Sequence, residues 1–327
     1  MRVFSGIRPT GDLHLGNYFG AIAQWVKLQE EKECVFCIVD LHAITTPFSP
    51  EKLKKNILEL AIAILAAGID PKKSILFIQS QVKEHTELAW ILGTISPLSE
   101  LKGMTQFKEK SKRHPEYVNA GLLNYPLLMA ADILLYKTEL VPVGIDQKQH
   151  LEFTRELARR FNRRFGKVFK IPEILLSEKG EKIMSLQNPH KKMSKTEDPR
   201  GCIGIFDSPE EIREKIKSAV TDSGREIRYH PLKKPGISNL LTLYSLCTQL
   251  PIEKIEKEFE NKTYVEFKQK LAEVVIKKLE PFRKKREEFL KRKEFIKGIL
   301  KEGKEKAQAI AKETIFEVKE KIGLPIN

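Results

Sequence analysis

Short apolar runs alternate with longer amphipathic stretches through the first half of the chain. Arg2–Ser5, Cys34–Val39 and Ser74–Gln79 are rich in Val, Ile, Leu and Phe and are bounded by polar residues. They predict strands, with a shorter one at Val141–Val143. Between them, Tyr18–Glu30, Pro50–Ala67, Glu87–Leu92 and Leu128–Tyr136 carry apolar residues at helical spacing. Strand–helix alternation of this kind predicts a parallel sheet covered on both faces. In such sheets ligands sit at the carboxyl ends of the strands, at the point where strand order reverses. The segment from Pro9 to Asn17 follows the first strand and precedes a helix, which places it where a helix N-terminus can meet phosphate.

From about Lys192 onward the pattern is mostly helical, with Gly236 and Pro251 as breaks. The stretch from Pro281 to Lys304 is dense in Lys, Arg and Glu, interleaved with Phe282, Phe289, Leu290, Phe295 and Ile296. It predicts an amphipathic helix whose charges read first as a solvated face and second as an RNA-contacting one. The fold expected is therefore α/β: a Rossmann-like doubly wound sheet over residues 1–190, then a loop and a mostly helical second domain over 191–293. A length of 327 residues fits one large and one small domain.

Composition changes the picture in three ways. Lys and Arg number 58 against 44 Asp and Glu, a net charge of +14, which favours a polyanionic partner. The longest apolar stretch, around Ile57 to Ile69, is interrupted and too short to span a bilayer, and the start at Met1–Gly6 is a strand rather than a signal peptide. Four cysteines fit a reducing cytoplasm. Cys34 and Cys37 make a C-x-x-C, but on a strand residues i and i+3 point to opposite faces, so no shared metal is expected.

Two segments carry the candidate chemistry. In Pro9-Thr10-Gly11-Asp12-Leu13-His14-Leu15-Gly16-Asn17, Gly16 permits close backbone approach, and the helix start beside Asn17 offers N–H groups to an anion. In Lys192-Met193-Ser194-Lys195-Thr196, two ammonium groups sit on a polar loop, where they can stabilise a leaving pyrophosphate. Together and in this order they resemble the two ATP-binding signatures of class I aminoacyl-tRNA synthetases, the His-x-Gly-His and Lys-Met-Ser-Lys-Ser types. No Ser-His-Asp or Cys-His arrangement suggests a covalent nucleophile.

Four further stretches narrow the resemblance: Gly68–Ser74 with Phe77–Ser80, Met104–Lys108, Tyr125–Tyr136 and Val141–His150. The set is similar to the bacterial tryptophanyl-tRNA synthetases, nearly end to end and most densely from Phe4 to Thr196. That resemblance implies activation of L-tryptophan by ATP with Mg²⁺, transfer to tRNA(Trp), a homodimer, and a final helical stretch at about 294–327 packed back onto the nucleotide fold. It implies His14, Asn17, Lys192 and Lys195 as catalytic. Arg8, Pro9, Thr10, Gly16, Gly144, Ile145, Asp146, Ile183, Met193, Ser194 and Thr196 would join them in holding ATP, with Lys108 and Lys110 near the phosphates.

For tryptophan, Asp132 would accept the indole N–H, Met129, Val143, Phe4 and His42 would wall the ring, and Tyr125 and Gln147 would place the ammonium group. Asp132 has no obvious basic neighbour in sequence. The chain departs from the family's common pattern at Ile145 (often Glu), Leu41 (Gln in some members), Arg8 (Gln in some) and His14 (often Thr). The lysine loop is expected to close only over ATP. The competing readings are a tyrosyl-tRNA synthetase and a catalytically silent, synthetase-like RNA-binding protein.

Overall fold

The computed structural model describes residues 1–113, 115–144, 147–176, 183–195 and 198–326. Five strands, β1 (Arg2–Ile7), β2 (Glu33–Ile38), β3 (Ser74–Ile78), β4 (Leu140–Val143) and β5 (Glu173–Leu176), form one parallel sheet in the order β3-β2-β1-β4-β5. The order runs outward from β1 to β3, then returns to the other side of β1 for β4 and β5. The reversal falls between β1 and β4, so the crevice at their carboxyl ends is the natural ligand site. The fifth strand, at an edge, was not anticipated. Its apolar run is three residues long and follows Pro172, a residue tolerated at strand starts and edges.

Alternation along the strands separates two cores. Val3, Cys34, Phe36, Ile38, Leu76 and Ile78 face one cluster, and Phe4, Val35, Cys37, Val39 and Phe77 face the other. Cys34 and Cys37 therefore point to opposite sides of the sheet, as strand geometry requires. Burial on both faces explains why these strands read as continuous apolar runs.

Two helices differ from the pattern-based expectation. The helix Ala120–Leu134 starts well before Leu128 and carries Pro126 inside it, which masked its first half in the pattern. Asn119 caps it, its side-chain oxygen accepting the Leu122 N–H at 2.9 Å. The charged stretch after Pro281 is not one helix. Tyr264–Lys291 ends at Arg292, and Lys293–Ile322 begins there.

The helix Lys293–Ile322 gives Ile296, Ile299 and Leu300 to the first core and Ala307, Ala311, Ile315 and Val318 to the second. It passes the β3 edge at Gly303, where a Cβ would lie 1.9 Å from the Leu76 carbonyl oxygen. Only glycine allows that approach, and the helix thereby covers a sheet edge.

Candidate active site

The first segment leaves the end of β1 and is held by backbone hydrogen bonds and two buried leucines. Leu13 and Leu15 are buried, and their backbones bond outward: the Leu15 N–H to Ile203 O and the Ile205 N–H to Leu13 O, both 3.0 Å. The Pro9 carbonyl accepts from Asn56 Nδ2 at 3.3 Å. Arg8 and Thr10 stay exposed. His14 stands at the start of the short helix Leu15–Asn17, and its backbone N–H donates to Asn17 Oδ1 at 3.2 Å. The helix continues through Tyr18–Ile22 into Ala23–Leu28. A Cβ on Gly16 would come within 2.9 Å of the His14 ring and 3.7 Å of Met193 Cβ. The first contact is with a side chain that can swing, and the second is ordinary van der Waals contact, so Gly16 packs closely under the second segment without being demanded by it.

That second segment is docked by protein contacts through Lys195. Met184 and Lys192 form an antiparallel bridge; the Met193 N–H bonds Ile183 O at 3.0 Å and the Ser185 N–H bonds Lys191 O at 2.8 Å. Met193 is 2% exposed, a buried anchor for the loop. Lys195 Nζ meets Asp12 Oδ2 at 2.5 Å. Lys192 is exposed, and the Ser194 carbonyl accepts from the Asp198 N–H at 3.0 Å. Burial, then the charges of Lys192 and Lys195, push the His14 imidazole down to about 4. His14 is therefore neutral at pH 7 and can donate from one ring nitrogen only. Ile183 and Met193 are both buried in the first core, where their side chains anchor the loop. Thr196, Ile145 and Asp146 lie outside the described residues. Gly144 is exposed just past β4, and its carbonyl accepts the Gln147 N–H at 2.9 Å.

Asp132 lies near the end of the helix Ala120–Leu134. A carboxylate there opposes the helix dipole. It is 2% exposed, so it needs donors, and it has three. Oδ2 lies 2.8 Å from His42 Nε2; Oδ1 lies 2.6 Å from His85 Nδ1 and accepts from Gln79 Nε2 at 2.7 Å. Burial pushes this carboxyl up, but the hydrogen bonds and charge of His42 and His85 outweigh it and hold it below the usual range.

The absence of a basic neighbour in sequence was misleading: two histidines reach Asp132 from other elements. His42 is bonded to Asp132 rather than only walling the pocket. Around this centre, Phe4, Met129 and Val143 share the second core, and Tyr125 meets the His42 ring edge-on with centroids 6.2 Å apart. Gln79 and His85 had no role assigned from sequence. The available signal was position, a polar string directly after the carboxyl end of β3.

Tyr125 is fixed by hydrogen bonds to His150 Nε2 and, at 3.2 Å, to Gln106 Oε1. Lys110 Nζ sits 4.8 Å from the Tyr125 ring centroid. Burial, then Arg8, brings that ammonium down to about 8. Lys108 is exposed on the same helix, Thr105–Arg113. A polar cleft of about 250 Å³ lies elsewhere, at the amino ends of the strands, lined by Arg2, Glu33, Lys137 and Glu139 among others. Several of its charges pair with one another, as in Arg2–Glu33 at 2.8 Å and Lys170–Glu139 at 3.1 Å.

A parallel sheet whose order reverses at β1, with a lysine loop docked on the turn after β1, is the architecture to set against known proteins. Residues 1–280 match the family model for class I tRNA synthetases (W and Y), and the chain belongs to that family. It is 55% identical over 324 residues to a tryptophan–tRNA ligase of Caldanaerobacter subterraneus subsp. tengcongensis, covering 99% of this chain and 98% of that one. Among solved structures, a tryptophanyl-tRNA synthetase from Mycoplasma pneumoniae superposes with a TM-score of 0.90 at 38% identity, covering 99% of this chain and 98% of that one. One from Campylobacter jejuni, complexed with ADP and tryptophan, gives 0.84 at 38% identity, covering 99% and 100%.

Proposed function

We propose that the protein is a tryptophan–tRNA ligase. A tryptophan carboxylate oxygen attacks the α-phosphate of ATP, the bond to the β-phosphate breaks, and pyrophosphate leaves. The 2′-OH of the terminal adenosine of tRNA(Trp) then attacks the carbonyl carbon and AMP leaves. The observation that carries this reading is the pairing of a lysine loop docked on the first segment with a buried, ionised carboxylate among apolar side chains. Catalysis is positioning plus charge stabilisation, with no enzyme nucleophile.

Lys192 and Lys195 take charge on the pyrophosphate, His14 and Asn17 bind phosphate oxygens, and Gly16 admits the adenine. Arg8, Pro9, Thr10 and Gly144 follow the nucleotide, with Asp146 at the ribose hydroxyls. Asp132 accepts the indole N–H, and Tyr125 and Gln147 hold the ammonium group. An apolar slot alone would hold phenylalanine or leucine; a buried acceptor rejects ligands that leave it unpaired.

Mg²⁺ enters with ATP, held mainly by phosphate oxygens. Asp12, the carboxylate beside the loop, is engaged by Lys195, and among the described residues no cluster of three or more His, Cys, Asp or Glu could hold an ion.

The division into residues 1–190 with 294–327, and 191–293 as an anticodon-reading unit, belongs to the same reading, as does a cytoplasmic homodimer. Trp90 and Leu98, exposed on neighbouring helices, offer apolar area a second copy would cover. No helix among the described residues is long and apolar enough to cross a membrane. The net charge of +14 suits phosphate contacts that weaken with salt. Charging of a tRNA(Trp) transcript tests the reading: tryptophan should be attached in an ATP-dependent manner, and no charging with active adenylate formation would remove the second step.

A further inference from the structure

The partners of Asp132 are divided unevenly between its two oxygens. Oδ1 receives both Gln79 Nε2, at 2.7 Å, and His85 Nδ1, at 2.6 Å, whereas Oδ2 receives His42 Nε2 at 2.8 Å. A carboxylate oxygen accepts about two hydrogen bonds, so Oδ1 is saturated and Oδ2 keeps one acceptor direction open.

Behind Oδ1 the network continues. His85 is fully buried, and its Nε2 lies 2.8 Å from the Tyr136 hydroxyl, itself fully buried. Tyr136 is held by stacking on Phe4, with centroids 5.4 Å apart, and by an edge contact with Phe77 at 5.7 Å. Burial, then Cys37, Asp132 and Glu84, keeps its phenol well above the ordinary range, so it keeps its proton. With Tyr136 donating to Nε2, a neutral His85 must carry its single proton on Nδ1, facing Asp132. The opposite tautomer would set two lone pairs against each other at 2.6 Å.

We propose that His85, locked by Tyr136, and Gln79 are positioning residues for substrate selection: they saturate one oxygen of Asp132 and leave a single acceptor direction, on Oδ2 beside His42, for the donor of the substrate side chain. The proposal rests on the reading that Asp132 faces the indole N–H. The class of ligand accepted is a flat apolar side chain with one N–H donor. A side chain without a donor leaves Oδ2 half satisfied in an apolar site, at a cost.

Two measurements test it. In ¹⁵N-histidine-labelled wild-type protein, the His85 ring should carry a proton on Nδ1, facing Asp132; a ring protonated on Nε2 alone overturns the proposal without any variant. In pyrophosphate–ATP exchange, His85→Leu should raise KM for tryptophan about tenfold or more, the scale of a lost hydrogen bond to a charge, and move kcat and KM for ATP much less. His85→Asn, whose amide N–H can stand in for Nδ1, should recover most of that loss. An unchanged KM for tryptophan in His85→Leu, or Asn no better than Leu with all constants moving together, overturns it. Failure of the wild-type protein to exchange with tryptophan would instead remove the underlying functional reading.

Discussion

Lys195 Nζ lies 2.5 Å from Asp12 Oδ2, joining two segments 183 residues apart in sequence. The contact fixes where the lysine loop rests, and it sets a carboxylate in competition with any phosphate that Lys195 is to bind. Both side chains are partly exposed, at 39% and 58%, so the pair itself adds about 0.2–1 kcal/mol. Asp12→Asn should therefore lower KM for ATP by up to about fivefold, the kinetic equivalent of releasing that pair. Steady-state kinetics with varied ATP would show it; a raised KM would mean that Asp12 aims Lys195 productively.

Removing the ammonium group is a larger change. Lys195→Ala should lower the rate of adenylate formation about 10²–10³-fold, the scale seen for one lost donor on a developing charge. KM for tryptophan should stay near the wild-type value, because the loop docks on the first segment and not on Asp132. Rapid-quench measurement of adenylate, alongside tryptophan titration, separates the two; an equal loss of tryptophan affinity would contradict the role.

His14 offers a pH test. Burial and the two lysines depress its imidazole to about 4, against about 6.5 in an unfolded chain. Between those values the unfolded chain binds the extra proton, so this group's contribution to stability is present above pH 6.5 and is lost as pH falls toward 4. Its NMR titration should show no step near 6.5. Lys192→Ala combined with Lys195→Ala should raise the midpoint toward the ordinary value, since two of the three causes are removed. An unchanged midpoint would assign the whole shift to burial.

Two glycines separate stability from activity. Gly303→Ala puts a Cβ against backbone, 1.9 Å from Leu76 O, so the helix Lys293–Ile322 must shift off the β3 edge. Overpacking of this kind costs about 1–3 kcal/mol, visible as a Tm lowered by several degrees. Gly16→Ala meets only the His14 ring, which can swing, so Tm should hold while exchange activity falls. The reverse pattern would contradict the placement of both.

What could be read in advance follows from how local each cause is. Strand alternation placed Cys34 and Cys37 on opposite faces, and the strand-to-helix turn placed Pro9–Asn17 at the crevice, because both depend on neighbours in sequence. Pro126 hid the first half of the helix Ala120–Leu134, since propensity penalises what an Asn119 cap and core burial override. The short apolar run of β5 was too weak a signal. His85, 47 residues before Asp132, and the docking of Lys195 on Asp12 depend on tertiary contacts that no local pattern encodes.

The reaction and its amino acid meet in one assay, pyrophosphate–ATP exchange with tryptophan, tyrosine and phenylalanine supplied separately. Asp132, buried and ionised with an acceptor direction open on Oδ2, predicts exchange with tryptophan, and kcat/KM lower by at least about a thousandfold for the other two. Exchange driven comparably by tyrosine, or no exchange with any of the three, would contradict it.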